Sequence, residues 1–336
     1  MASDLKFSVL ESMPKVELHI HLEGAIPMDA MWALVQAAGG GPRTREELAR
    51  RFEYGDFAQF LDTWMWKLRF HRTYHDYEFM AEAVARDLVI QNIVYVEMYV
   101  SPSDARANGL ETGPLLAAVR RGLDKVEGVD VALVPDLVRN SGQRAAMRTL
   151  QEVIEVVEDA GIIGITIGGD EARYGAELFA DHFARAGSAG LRLSAHAGEA
   201  AGPASVTAAL DVLGVDRLGH GIRAVEDPGL VARLVVNRVP LEVCPTSNLR
   251  TGVATSWETH PVRTLIDVGA MVTINSDDPV MFDSSVARDL WNLHCEYGYG
   301  LDVLVGLMHN AIDASWADGA HKAALRERLQ GWQESL

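Results

Sequence analysis

A chain of 336 residues, 48% hydrophobic and 23% charged, has room for one large soluble domain or two ordinary ones. Its net charge of −17, from 30 basic and 47 acidic residues, repels phosphate backbones and excludes nucleic acid as the expected partner. Only Cys244 and Cys295 occur, too few for a disulfide framework, and no apolar run approaches the ~18 residues of a membrane span. The start, Met1 to Lys6, has no basic region leading into an apolar core, so no signal peptide is expected. The expectation is a cytoplasmic protein, with no membrane partner, acting on something small.

The first predicted element is a strand between Pro14 and Gly24. Val16, Leu18, Ile20 and Leu22 alternate with Glu17, His19, His21 and Glu23, which puts His19 and His21 on one face. Residues 27–70 read as a helical insertion. Met28 to Ala38 is apolar at helical spacing and stops at Gly39-Gly40-Gly41-Pro42. Asp56 to Phe70 is aromatic-rich, with Phe57, Phe60 and Trp64 on one helical face. That stripe suits either core packing or an apolar lid over a flat substrate.

From Tyr74 onward helices and strands alternate. Strands are expected over 93–100, 129–138, 162–167, 191–197, 217–219, 240–244 and 270–275. Helices are expected over 75–91, 113–127, 143–160, 175–186, 203–213, 227–236 and 260–268. Helices over 286–296, 301–313 and 318–334 close the chain. Eight strands alternating with helices imply a parallel sheet closed into an α/β (β/α)8 barrel. The helical insertion after strand 1 and the extra C-terminal helices are additions to one domain spanning 1–336, since no linker-like stretch divides it.

Such a barrel works at the C-terminal ends of its strands. Those ends carry His19 and His21; Gly168-Gly169-Asp170-Glu171; His196-Ala197-Gly198-Glu199; His220-Gly221; and Ser276-Asp277-Asp278-Pro279. Three histidine-bearing ends and a paired acid are hard to explain as packing. His19, His21, His196 and Asp277 offer three nitrogens and one oxygen, a set that suits Zn²⁺ and leaves a place for water. Such an ion lowers the pKa of that water toward ~7. His220 is placed to hold or deprotonate the water, Glu199 to act as general acid, and Asp278 to hydrogen-bond the substrate. Gly169 leaves its backbone N–H open to close approach.

Taken together, these five motifs resemble the adenosine/adenine deaminase family of metal-dependent amidohydrolases, from Pro14 to about residue 310. The resemblance implies one catalytic zinc and hydrolytic loss of a purine 6-amino group as ammonia. It implies His19, His21, His196 and Asp277 as ligands, Glu199 as the acid that protonates N1, and His220 as the residue orienting the attacking hydroxide. Asp278 is then the N7 partner and Gly169 the N3 contact. The expected substrate is adenosine or a modified adenosine.

Two motifs pull apart on the sugar side. Adenosine-acting members usually carry His-Leu-Asp-Gly, whereas this chain has Glu23, as adenine-acting and several atypical members do, so a free-base adenine or an aminodeoxyfutalosine-type substrate is the alternative. Gly169-Asp170-Glu171 looks like the adenosine-acting type, and Val280-Met281-Phe282 like members that act on aminodeoxyfutalosine. A two-metal hydrolase would need a lysine at strand 4, and none of the five lysines falls there. A cytidine-deaminase-type site would need a Cys-x-x-Cys, which is absent. A catalytically inactive purine-binding barrel is the reading from another class.

Overall fold

Strand β1 (Lys15–His21) is buried at every position, although its alternating sequence implies one wet face. The face bearing Glu17, His19 and His21 is wetted by no bulk solvent because it lines the inside of a barrel. The structure, a computed structural model, describes residues 5–54 and 57–336, with the backbone alone at Phe57 and Ala58.

Strands β2 (Ile93–Val100) and β3 (Asp130–Pro135) pair in parallel beside β1. Strands β4 (Gly164–Ile165), β5 (Arg192–Ala197), β6 (Arg217–His220), β7 (Leu241–Val243) and β8 (Val272–Ile274) form a second parallel run. Bridges Leu133↔Ile162 and Asp136↔Thr166 join β3 to β4, and Ile20↔Asp277 joins the end of β8 back to β1. The ring therefore closes, as the (β/α)8 reading requires. The predicted strand ends hold to within a few residues. The main shortening is β4, where 162–167 is expected and two residues pair regularly, the rest being held by bridges.

The outer layer follows from apolar stripes packed on β-branched strands, as at Tyr74–Ile90, whose Tyr77, Met80, Ala81, Val84 and Leu88 are buried. Its start is fixed by a capping box between Thr73 and Asp76. The expected helix over 143–160 breaks into Gln143–Ile154 and Val157–Ala160. That over 203–213 runs as Pro203–Ala208 and then widens to a π-turn over Ala209–Leu213. Short helices at Pro102–Arg106, Pro245–Arg250 and Pro279–Phe282, each with proline in its first turn, follow β2, β7 and β8 and carry no periodicity long enough to read.

The insertion supplies the helices Met28–Ala38, Arg45–Arg51 and Phe57–Lys67. Phe60 leaves the main core to form a small apolar cluster with Met281 and Phe282, its ring stacked on Phe282 at 4.9 Å. The helix Phe57–Lys67 thus sits against the turn that follows the acid pair, at the mouth of the barrel. Among the described residues no helix is long and apolar enough to cross a membrane.

Candidate active site

Parallel strands ending at one rim bring His19, His21, His196, His220 and Asp277 together. The ligand-type atoms of His19, His196, His220 and Asp277 all lie within 4.8 Å of one another. His21 stands beside them, with its Nε2 and that of His19 each 3.4 Å from Asp277 Oδ1. Its ring lies 5.4 Å from those of His19 and His196. The group of mutually close ligand atoms thus contains His220 where the expected ligand set has His21, and His220 Nε2 lies 3.9 Å from Asp277 Oδ2 and 3.6 Å from Glu199 Oε2.

Backbone conformation contributes. His220 and Asp277 both adopt positive φ, 62° and 64°, which costs a non-glycine residue ~1–3 kcal/mol and persists where surroundings enforce it. For Asp277 the enforcement is visible: its N–H donates to His19 O at 3.1 Å, and His21 N–H donates to its carbonyl at 2.9 Å.

A shell of buried polar groups aims these side chains. Glu242 accepts from His19 Nδ1 at 3.1 Å and is itself held by Arg217 Nε at 2.7 Å and by the Tyr99 hydroxyl at 2.6 Å. Ser247 Oγ donates to Asp277 Oδ2 at 2.6 Å. Asn248 Nδ2 lies 3.1 Å from His220 Nδ1. Arg139, fully buried, ties the carbonyl of His196 to that of Tyr174. His19 Nε2 is buried without a hydrogen-bond partner, and it points among nitrogens and a carboxylate. This donor set, oriented by its outer partners, fits a zinc ion.

Burial sets the protonation of the site. It lowers His21 to about 4 and His220 to about 3, so both are neutral imidazoles at pH 7. Burial also opposes charge on His19, but the carboxylates of Asp277 and Glu242 beside it outweigh burial and raise that imidazole to about 10 without a metal. Glu199 keeps 21% of its side chain accessible. Burial, with the negative charges of Asp277 and Glu171, nonetheless raises it to about 8. A carboxyl kept protonated at neutral pH can give a proton.

Two glycines allow close packing beside the cluster. A Cβ on Gly24 would stand 1.7 Å from Asp278 Oδ1, so the glycine is what admits Asp278 to the site. Gly169 has φ +93°, and a Cβ there would meet Asn140 Oδ1 at 2.3 Å. Asp278 is buried with Oδ1 unpartnered, and burial raises its pKa well above the carboxylate range.

Glu23 is buried too. Its Oε1 accepts from Ser101 N–H at 3.1 Å, and Oε2 has no partner. Lys67 Nζ, buried and 3.6 Å from the centre of the Trp64 ring, donates to the Glu23 carbonyl at 2.6 Å. Trp64 Nε1 donates to Asp104 Oδ2 at 3.3 Å, and the Tyr54 hydroxyl donates to Met281 O. Phe60 and Trp64 therefore face this corner rather than the main core; the Phe57 side chain lies outside the described residues.

Sequence reasoning missed Glu242, Ser247, Asn248, Lys67 and the role of Glu171. Glu242 alone had a local signal, a lone charge inside the apolar run Val239 to Cys244. The others become meaningful only once distant segments meet.

A family model described as adenosine deaminase matches residues 14–332. Among curated proteins, an adenine deaminase of Rhodospirillum rubrum is 34% identical over 334 residues, covering 98% of this chain and 99% of its own. An aminodeoxyfutalosine deaminase of Streptomyces avermitilis is 33% identical over 332 residues, covering 96% and 92%. A crystal structure of an amidohydrolase from Burkholderia ambifaria, with bound zinc, superposes with a TM-score of 0.89 at 26% identity, covering 99% of this chain and 96% of that one.

Proposed function

The chain belongs to the adenosine deaminase family, hydrolytic deaminases that act on a C–N bond, and from that premise we propose that it converts a neutral 6-aminopurine and water into the 6-oxopurine and ammonia, with free adenine preferred to the nucleoside. The observation that carries the preference is Glu23. Its buried Oε2 has no partner within the protein, and a buried acceptor left unmatched is costly. The free base brings a ring N–H that a nucleoside has replaced with its glycosidic bond. Lys67, Trp64 and Asp104 crowd the same corner, where the family pose would need space for ribose.

Bound zinc supplies a water activated at neutral pH. His19, His21, His196 and Asp277 would hold the ion, and the neutral His220, beside Asn248 at Nδ1, would orient the attacking water with Nε2. Glu199 delivers a proton to purine N1, which makes C6 more electrophilic. Asp278 meets N7, and the Gly169 N–H meets N3. As C6=O forms and the C6–N bond breaks, one proton of the attacking water restores Glu199 and the other goes to the amino group, which leaves as ammonia.

A nucleoside altered at its 5′ end is the second reading. It is favoured by the likeness to the aminodeoxyfutalosine deaminase. The test is ammonia release by zinc-loaded protein from adenine, adenosine, aminodeoxyfutalosine and AMP. Adenine should have the highest kcat/KM and AMP the lowest, because the Glu23–Asp104 corner repels a phosphate. Adenosine or AMP as the best substrate would refute the preference, and no ammonia from any of them would refute the activity.

A further inference from the structure

The turn that carries Glu199 belongs to no strand or helix. Something else must fix it, because a general acid acts only within hydrogen-bond reach of its target. The Glu171 carboxylate, 3% exposed, lies beneath this turn. Its Oε1 accepts from Gly198 N–H at 2.5 Å. Its Oε2 accepts from the N–H groups of Glu199 at 3.1 Å, Ala200 at 2.9 Å and Ala201 at 2.9 Å. A carboxylate offers about four lone-pair sites, so one side chain is spent entirely on four consecutive amides.

The carbonyl side of the turn is held by Arg223, two residues beyond Gly221. Its N–H donates to Gly198 O at 2.8 Å, and its Nη1 donates to Ala200 O at 2.6 Å. Glu226 in turn fixes the Arg223 guanidinium. The turn is therefore gripped from the β4 side by Glu171 and from the β6 side by Arg223.

We propose that Glu171 is a positioning residue for the reaction: by taking the four amides of residues 198–201, it sets where the Glu199 carboxyl stands in the barrel mouth. The inference rests on the reading of Glu199 as the acid. Glu171 follows Gly169 by two residues, so a single loop presents the N3 contact and anchors the group that protonates N1. Both edges of the purine are then referenced to one rigid segment, itself fixed where Asp170 N–H donates to Asn140 Oδ1 at 2.8 Å. The negative charge of Glu171 acts in the same direction, since it favours the protonated form of Glu199.

The test is a double-mutant cycle in the zinc-loaded protein, read as adenine deamination. Glu171→Gln keeps the size but cannot accept from four donors. Its zinc content should match the parent and its KM should be little changed, its thermal midpoint should drop because amides of the turn lose their acceptor, and kcat should fall ~10–100-fold, the scale of an ångström-sized misplacement. Glu171→Asp, still anionic, should recover part of the loss. In a Glu199→Gln background Glu171→Gln should cost nothing further, because both act through one group. Parent-like kcat in Glu171→Gln beside a crippled Glu199→Gln overturns the positioning role alone, as does an equal loss in both backgrounds. Parent-like kcat in Glu199→Gln overturns the acid assignment itself. If Glu171→Gln does not fold, the same cycle with Glu171→Asp decides.

Discussion

Glu242 Oε2 lies 3.1 Å from Nδ1 of His19, and neither side chain is reached by solvent. A carboxylate only accepts, so Nδ1 carries the hydrogen and Nε2 is the nitrogen presented to the metal. Arg217 bridges Glu242 to Glu97 and is covered by the Trp316 ring, so a chain of charges runs down the barrel axis from the metal site. Burial would push the Glu242 carboxyl up; Arg217 and His19 override that and hold it near 2, ionised throughout the working range.

Zinc retention should depend on that chain. The purified protein should hold about one zinc per chain, and His19→Ala should lose both metal and activity. Glu242→Gln should keep the fold but weaken zinc binding ~10–100-fold, the usual consequence of removing the outer partner of a metal-bound histidine. Chelator competition followed by metal analysis measures this. An unchanged zinc dissociation constant in Glu242→Gln would show that His19 is oriented by packing alone.

Glu199→Gln should keep zinc and lose ~10²–10⁴-fold in kcat. His220→Ala should also keep zinc and lose turnover. The pH profile has a definite sign. An acid raised to about 8 is protonated below that value, so activity should be present at neutral pH and decline as pH rises through about 8. A cation bound beside Asp277 offsets part of the negative field and moves the decline to lower pH. An activity that rises through this window would assign Glu199 the role of a base.

What was legible in the sequence were the residues whose meaning is local. His19 and His21 share a face by strand periodicity, and the eight alternating strands imply the ring that brings His196, His220 and Asp277 to them. Lys67, Asn248 and Glu171 were not legible, because each works on a segment far away in sequence. Lys67 grips Glu23 across 44 residues, Asn248 meets His220 across 28, and Glu171 meets Gly198 across 27. The aromatic stripe left two readings open for a related reason. Helical spacing shows that Phe60 and Trp64 share a face, but not that this face meets Phe282 and Lys67 at the barrel mouth.

Asp289 should make stability depend on pH away from the metal site. It is fully buried on the helix Val286–Tyr297 and accepts from the Thr246 hydroxyl in the segment that carries Ser247 and Asn248. Burial raises it from 3.8 to about 7, against the Thr246 hydrogen bonds that lower it. Between those values the folded chain keeps a proton that the unfolded chain has released, so stability falls as pH rises. At 1.36 kcal/mol per pH interval of one, the loss approaches ~4 kcal/mol. Asp289→Asn lacks that proton exchange, so its stability relative to the parent should rise from pH 4 to pH 7 in denaturant titrations. A pH-independent difference would mean that Asp289 is charged in the folded protein.

Glu23 is the last and most specific test, because substrate choice hangs on one methylene. Its Oε1 is fixed by the Ser101 N–H, its backbone carbonyl by Lys67, and its Oε2 is left buried with no partner in the protein. Asp at this position draws the carboxylate back toward the strand, opens space for a ribose and takes the acceptor away from a free-base N–H. A methylene in a pocket is worth ~1–3 kcal/mol, or ~10–200-fold in specificity. The ratio of kcat/KM for adenine over adenosine should therefore fall by a factor in that range in Glu23→Asp, with zinc content unchanged. A ratio that stays within about twofold, a small part of that range, would remove Glu23 as the determinant. The corner formed by Lys67, Trp64 and Asp104 would then set the preference, and Trp64→Ala, which opens it without touching the carboxylate, would be the variant that moves the ratio.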